Sequence, residues 1–244
     1  MDVNSFGAVL LASSIACGVT TVGILLISKH QQWARKQSVH LKSFAAGLLI
    51  AISFIHIIPK SFEMQRAAPF LLLAGFLAIY LVNRLVKLYV CQEEGCVDYG
   101  LSIVPTLGIG FHSFVDGVIY SVTFNVSIFT GILAAIGMIL HEFPEGIITF
   151  VLLERGGLGR RKSMLYAFLA AALSTPLGTL VSYPFIHQLR EPRLGMMLAL
   201  AAGALVYVGT VHLMPSVEKE EKHYNSLTLA AGMLVAVAIV VLRG

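Results

Sequence analysis

Long apolar runs dominate this chain and decide what it can fold into. Several reach 20 or more residues, the length that an α-helix needs to cross a bilayer, whereas barrel strands need only about 9–11 residues of alternating polarity. Only 12% of the 244 residues are charged, compared with about 25% in a soluble domain. The sequence therefore predicts an all-α integral membrane protein with no soluble domain.

Eight transmembrane helices account for nearly the whole length, so residues 1–244 are predicted to form one multi-pass domain. If the N-terminus lies outside the cytoplasm, 12 of the 17 Lys and Arg residues fall on the cytoplasmic side. The positive-inside rule then places both termini outside, in the cell (inner) membrane. The predicted helices cover residues 6–28, 41–60, 68–90, 101–124, 128–153, 163–188, 194–216 and 224–242.

A short pattern occurs twice in the chain. The letters A-A-G at 45–47 precede His56 and Pro59, and 156 residues later A-A-G at 201–203 precedes His212 and Pro215. The two copies lie on predicted helices 2 and 7, which cross the membrane in opposite directions. This favours a 3+2+3 arrangement, in which helices 1–3 and 6–8 are inverted repeats around helices 4 and 5, as in many secondary transporters.

Helices 4 and 5 carry ionisable side chains near their midpoints. Helix 4 has His112 and Asp116, and helix 5 has His141, Glu142 and Glu145. A charge at the centre of a bilayer costs roughly 2.5–3.5 kcal/mol, so such clusters usually mark ion pathways. In each helix a His and a carboxylate are four residues apart and share one face. Imidazole and carboxylate groups suit a divalent transition metal, which predicts a metal-transport site.

Other polar residues are weaker candidates for metal ligands. Ser113 and Glu142 lie one residue further round their helices and could extend the site. His56 could receive the ion outside and His212 could release it inside, with Glu218 and His223 near His212, although a His near a helix end can also simply contact interfacial water. Cys91 and Cys96 could hold a soft metal in the loop between helices 3 and 4. A purely structural polar network is the alternative for the whole set.

These motifs resemble those of the ZIP family of zinc and iron permeases. The resemblance rests on H-S-F-V-D-G at 112–117 and H-E-F-P-E-G at 141–146, and it extends over the whole chain. It implies inverted repeats around helices 4 and 5, a homodimer, and an elevator-like motion that carries a divalent metal into the cytoplasm. Zinc would be the principal transported ion, with iron, manganese and cadmium as alternatives. The positions that match the family's ion-binding residues are His112, Asp116, His141 and Glu145.

Two positions depart from the family pattern. Ser113 stands where many relatives have Asn, and Thr175 stands where several have a carboxylate that completes a second metal site. We therefore expect one strong site, with any second ion held weakly by Glu142.

Two other functions use the same ligands. An intramembrane zinc hydrolase would use Glu142 as general base, but the zincin motif H-E-x-x-H is broken by Glu145. A passive cation channel stays open as an alternative. We expect no resident cofactor beyond the transported ion and no nucleic-acid partner, since no basic stretch is interleaved with aromatic residues. Metal binding requires deprotonated ligands, so uptake should weaken at acidic pH.

Overall fold

The computed structural model describes residues 3–90, 100–214 and 223–243. Within these ranges the chain forms eight helices joined by short connections, and no strand is present. The helices, numbered in chain order, are α1 (Val3–Lys29), α2 (Gln31–Ile52, continued by Ser53–Ile57 and Ile58–Met64), α3 (Ala68–Val90), α4 (Gly100–Val126), α5 (Ile128–Arg155), α6 (Arg160–Ala167, Phe168–Ala172 and Ser174–Ile186), α7 (Glu191–Tyr207 and Val208–Leu213) and α8 (His223–Arg243).

The predicted all-α membrane fold is confirmed. Helices α1 to α7 each contain a stretch that is long and apolar enough to cross a membrane, and α8 contains the shorter apolar stretch Ser226–Leu242. The predicted span at 41–60 lies within the apolar stretch Val39–Met64, but helix α2 extends further, because it begins at Gln31 in the polar segment before that span. Gln, Ala, Arg and Lys are good helix formers, so this polar segment is helical although it adds nothing to the apolar run.

Three of these helices contain a π-turn, in which the backbone amide donates its hydrogen bond to the carbonyl five residues earlier instead of four. In α2 the amide of Ile58 donates to the carbonyl of Ser53, and in α7 the amide of Met214 donates to the carbonyl of Gly209. These two bonds are again 156 residues apart, and each lies just before the proline of the repeated H-x-x-P pattern. A third π-turn spans Phe168–Ala172 in α6.

The way the helices pair supports the inverted repeat. Helix α1 packs mainly on α5 and α6 on α4, while α2 packs on α8 and α7 on α3. Exchanging α1 with α6, α2 with α7, α3 with α8 and α4 with α5 converts each of these pairs into another observed pair. The packing therefore obeys an approximate two-fold relation, with the α4–α5 contact shared between the two halves.

Glycines that touch neighbouring backbones follow the same relation in the outer pairs. A Cβ on Gly47 of α2 would collide with the carbonyl oxygen of Leu229 in α8, and a Cβ on Gly203 of α7 would collide with that of Leu72 in α3. Gly47 and Gly203 are the third residues of the two A-A-G copies. Small residues allow transmembrane helices to approach closely, so each A-A-G copy marks a tight helix contact.

The inner pairs repeat the arrangement beside the ionisable residues. A Cβ on Gly117 of α4 would collide with the carbonyl oxygen of Thr175 in α6, and a Cβ on Gly146 of α5 would lie 2.5 Å from that of Thr20 in α1. Gly117 directly follows Asp116, and Gly146 directly follows Glu145. The close contacts therefore fix α4 and α5 at the level of their carboxylates, which are buried in the bundle.

Candidate metal centre

Four side chains from α4 and α5 meet at one point in the bundle. His112 and Asp116 come from α4, and His141 and Glu145 come from α5. Each offers one ligand atom, and these four atoms all lie within 4.8 Å of one another. The two i, i+4 pairs bring their side chains to facing sides of the two helices, as their spacing predicts.

Nitrogen and oxygen atoms alternate around this point. The Oδ2 atom of Asp116 lies 3.2 Å from Nε2 of His141 and 3.6 Å from Nε2 of His112. The Oε2 atom of Glu145 lies 3.7 Å and 3.9 Å from the same two nitrogens. Zinc binds such atoms at roughly 2.0–2.2 Å, so tetrahedral ligands lie about 3.4 Å apart. The four nitrogen-to-oxygen distances are therefore close to those of a tetrahedral zinc site.

The hydrogen bonding of the cluster is incomplete in a way that suits an ion. Nε2 of His112 and Oε2 of Glu145 are buried without a hydrogen-bond partner, although unpartnered buried polar atoms are costly. Asp116 and His141 are each 1% exposed, and Glu145 is 5% exposed. In the described chain, the basic side chains within 4.0 Å of the Asp116 and Glu145 carboxylates are those of His112 and His141. A divalent cation would match the two carboxylate charges while the imidazoles stay neutral.

Ser113 supports the cluster from its edge. Its Oγ atom lies 2.7 Å from Oε1 of Glu145, so it binds the oxygen of Glu145 that does not face the two histidines. The hydroxyl is fully buried. Ser113 therefore holds the Glu145 carboxylate in place and leaves Oε2 for the centre.

Glu142 lies beside the four-residue cluster, with its carboxylate already occupied. Oε2 is 2.5 Å from the hydroxyl of Thr20 in α1, and Oε1 is 2.9 Å from the hydroxyl of Thr175 in α6. All three residues are fully buried. The Glu142 carboxylate therefore links α1 and α6 by hydrogen bonds, and these are two helices that exchange under the two-fold relation. The sequence gives no sign of the part played by Thr20 beyond its being a polar residue in an apolar helix.

The two histidines of the H-x-x-P pattern have different surroundings. The ring of His212 lies 5.5 Å from that of His112, next to the cluster. The ring of His56 is remote from it: Nε2 is 3.1 Å from the Thr130 hydroxyl at the start of α5, and the ring packs edge-on against Phe129. Glu218, Cys91, Cys96 and the side chain of His223 lie outside the described part of the chain.

Fold and site together define a class of protein. This is a multi-span helical membrane protein whose buried histidine and carboxylate cluster fits a divalent metal ion. The family model described as ZIP Zinc transporter matches residues 3–99 and 92–242. The chain belongs to the ZIP zinc transporter family, which confirms the resemblance seen in its motifs.

Individual relatives agree with this assignment. The chain is similar to "Zinc transporter ZIP13" of Pongo abelii, with 26% identity over 88% of this chain and 70% of the relative. It is also similar to "Zinc transporter ZupT" of Chlorobium limicola, with 26% identity over 95% of this chain and 97% of the relative. "Metal cation symporter ZIP14" of Danio rerio is 30% identical over 57% of this chain and 29% of its own length. These relatives are transporters and not enzymes.

Proposed function

We propose that this chain carries divalent transition-metal ions, zinc first, across the cell membrane into the cytoplasm, with His112, Asp116, His141 and Glu145 as the ligands of the moving ion. The observation that carries the proposal is the alternating ring of two imidazole nitrogens and two carboxylate oxygens, buried at the contact of α4 and α5. Iron, manganese and cadmium are secondary substrates of this proposal, because the same donor types bind them.

In the proposed mechanism Glu142 is not one of the four principal ligands. Both of its oxygens accept hydrogen bonds from threonines, so it can bind a second ion only by giving up at least one of these bonds. We therefore propose one strong site per chain, with any ion at Glu142 held weakly. Thr175 offers a hydroxyl where a carboxylate would be needed to strengthen such a site.

The proposed route runs from His56 to His212. With both termini outside, the distribution of Lys and Arg places the end of α2 outside and the end of α7 inside. His56 lies near the outer end of α2, whereas His212 lies within reach of His112 on the inner side of the cluster. His212 is a proposed acceptor of the ion as it leaves the cluster, followed by Glu218 and His223. A homodimer in the lipid bilayer is the proposed assembly.

Zinc uptake into liposomes that hold the purified protein tests the proposal. Saturable uptake is expected for the unchanged chain, and less than about one hundredth of it for His141→Ala and Glu145→Gln, since each removes a ligand. His187→Ala and Glu191→Gln are matched controls, because His187 contacts Asn125 and Glu191 is exposed in the first turn of α7, away from the cluster. Loss of uptake in the controls, or uptake that persists in both site variants, would overturn the proposal.

The same preparation separates a carrier from the channel alternative. A carrier saturates as zinc rises because each ion must occupy the site for a full transport cycle, whereas the flux through an open pore continues to rise. Competition by iron, manganese and cadmium then ranks the substrates. Uptake that stays proportional to zinc well above the concentration that fills the site would favour the channel.

A further inference from the structure

A cavity of about 720 Å³ lies outside the metal cluster, between α4 and the first half of α6. Its volume falls in the range of roughly 300–1,000 Å³ that is typical of small-ligand sites. Of its lining residues, Leu153 and Leu158 are buried, whereas Leu107, Phe111, Tyr166 and Leu169 are exposed. The surface of this cavity is mostly apolar, so it suits a hydrocarbon chain.

A second cavity, of about 450 Å³, adjoins the first and has three cationic side chains in its lining. It is lined by residues 157–162 and shares Leu158 and Lys162 with the apolar cavity. Arg160, Arg161 and Lys162 are exposed in the first turn of α6. Among the described residues no carboxylate pairs with these three cations. Glu154 is the acidic residue nearest to them in the chain, but it lies on the other side of the connection between α5 and α6.

We propose that the two cavities together bind one anionic phospholipid, with an acyl chain in the apolar cavity and the phosphate headgroup against Arg160, Arg161 and Lys162. Charge complementarity selects this occupant: three unpaired cations adjoin an apolar cavity at the end of a membrane helix. Basic pockets between transmembrane helices bind acidic headgroups in this manner. A zwitterionic lipid would fill the apolar cavity equally well but would gain little from the cations.

The location links this lipid to the helices of the metal site. Phe111 of the cavity wall directly precedes His112 in α4. The α6 side of the cavity includes residues of the π-turn Phe168–Ala172 and ends at Ser174, next to Thr175. A bound lipid therefore contacts both helices of the α4–α6 pair and stabilises their contact. This inference concerns lipid binding and holds whether or not the proposed transport function is correct.

Lipid binding to the purified full-length chain in neutral detergent tests the inference. Phosphatidylglycerol and phosphatidylcholine with identical acyl chains are titrated, and bound lipid is counted by native mass spectrometry while the midpoint of thermal unfolding is followed. The unchanged chain should bind phosphatidylglycerol at least about tenfold more tightly than phosphatidylcholine, with a matching rise in the unfolding midpoint. Equal binding of the two lipids would overturn the inference.

Two variants locate the site. The triple variant R160Q/R161Q/K162Q should bind phosphatidylglycerol on the order of 10- to 100-fold more weakly, because each cation near an acidic headgroup contributes to binding. Leu107→Trp changes the most exposed of the large apolar wall residues, at 66% exposure, and should weaken the binding of both lipids by occupying part of the cavity. K162Q alone should give an intermediate loss, and it replaces the triple variant if that protein does not fold.

The matched control removes three exposed cations elsewhere. R66Q/R190Q/R193Q changes three exposed arginines near the opposite membrane face, with Arg66 and Arg190 in connections and Arg193 in the first turn of α7. This variant should bind phosphatidylglycerol like the unchanged chain. An equal loss in this control would show that only overall charge matters and would overturn the inference. Inorganic phosphate that displaces phosphatidylglycerol, together with an unaffected Leu107→Trp variant, would show an anion site without a lipid chain and would overturn it too.

Discussion

Helices α4 and α5 are built alike but carry different chemistry. In both, a histidine is followed four residues later by a carboxylate and then by a glycine that touches a neighbouring helix. The phenylalanine carbonyls match as well: a Cβ on Gly178 of α6 would collide with the oxygen of Phe114, and one on Gly23 of α1 would lie 2.5 Å from the oxygen of Phe143. The backbones of the two helices therefore meet their partners at equivalent points.

The side chains break this equivalence. Ser113 in α4 corresponds to Glu142 in α5, so only α5 has a second carboxylate. The side chain of His112 is 17% exposed, whereas that of His141 is 1% exposed. The repeat therefore determines where the helices touch, while single side-chain differences make the two halves of the cluster unequal. His112, which lies next to His212, is on the more open side.

Exchanging the two cluster carboxylates for amides is the strongest test of how far the halves differ. Asp116→Asn and Glu145→Gln should each lower zinc affinity by about 100-fold or more, because each removes a charged ligand. Asp116 should be the more sensitive, since Oδ2 lies 3.2 Å and 3.6 Å from the two histidines, closer than Oε2 of Glu145. Zinc binding by calorimetry measures both, and equal losses would mean that the two helices contribute alike.

The inner glycines test whether the two backbone contacts are equally tight. Gly117→Ala should destabilise the fold by about 2–3 kcal/mol, because the new Cβ meets only backbone atoms of α6. Gly146→Ala should cost less, since its nearest contact, 2.5 Å from the Thr20 carbonyl oxygen, is less severe and its other two contacts are with side-chain atoms at 3.0 and 3.2 Å. Gly18→Ala is the control, with nothing within 4 Å of its Cβ. Thermal unfolding measures all three, and a larger loss at Gly146 would contradict the comparison.

The threonines bound to Glu142 should be equivalent across the repeat. Thr20→Val and Thr175→Val each remove one hydrogen bond to a buried carboxylate and should destabilise the fold by about 1–3 kcal/mol. Glu142→Gln should cost a similar amount and leave zinc affinity within about threefold, because the four-residue cluster is untouched. Unfolding and zinc binding are measured together. A Glu142→Gln variant that loses zinc as fully as Glu145→Gln would make Glu142 a principal ligand.

Ser113 should give the smallest effect. Ser113→Ala removes the hydroxyl that lies 2.7 Å from Oε1 of Glu145 but leaves all four ligands in place. We expect a two- to fivefold loss of zinc affinity and little change in unfolding, because a residue that orients a ligand matters less than the ligand. Ser163→Ala, which removes a buried hydroxyl bonded to the Leu158 carbonyl, controls for the loss of a buried serine.

The sequence predicts the helices and the cluster well because both depend on local spacing. Apolar length identifies the spans, and i, i+4 spacing places His112 with Asp116 and His141 with Glu145 on shared faces. The helix partners are harder to predict, because they depend on how each helix is rotated toward its neighbours. For this reason the bonds from Thr20 and Thr175 to Glu142 could not be foreseen. The early start of α2 was missed because its first residues are helix-forming but not apolar.

The π-turns in α2 and α7 amount to one additional residue within each helix. Each residue of an α-helix turns the chain by about 100°, so the segment Ile58–Met64 presents a different side to α7 than an uninterrupted helix would. Deleting a single residue between Ser53 and Ile57 would rotate the two parts of α2 relative to each other. His56 or Pro59 would then turn away from its present neighbours, although the helix length would hardly change. In these two helices the rotation caused by one additional residue, rather than any single side chain, sets which residues face the centre of the bundle.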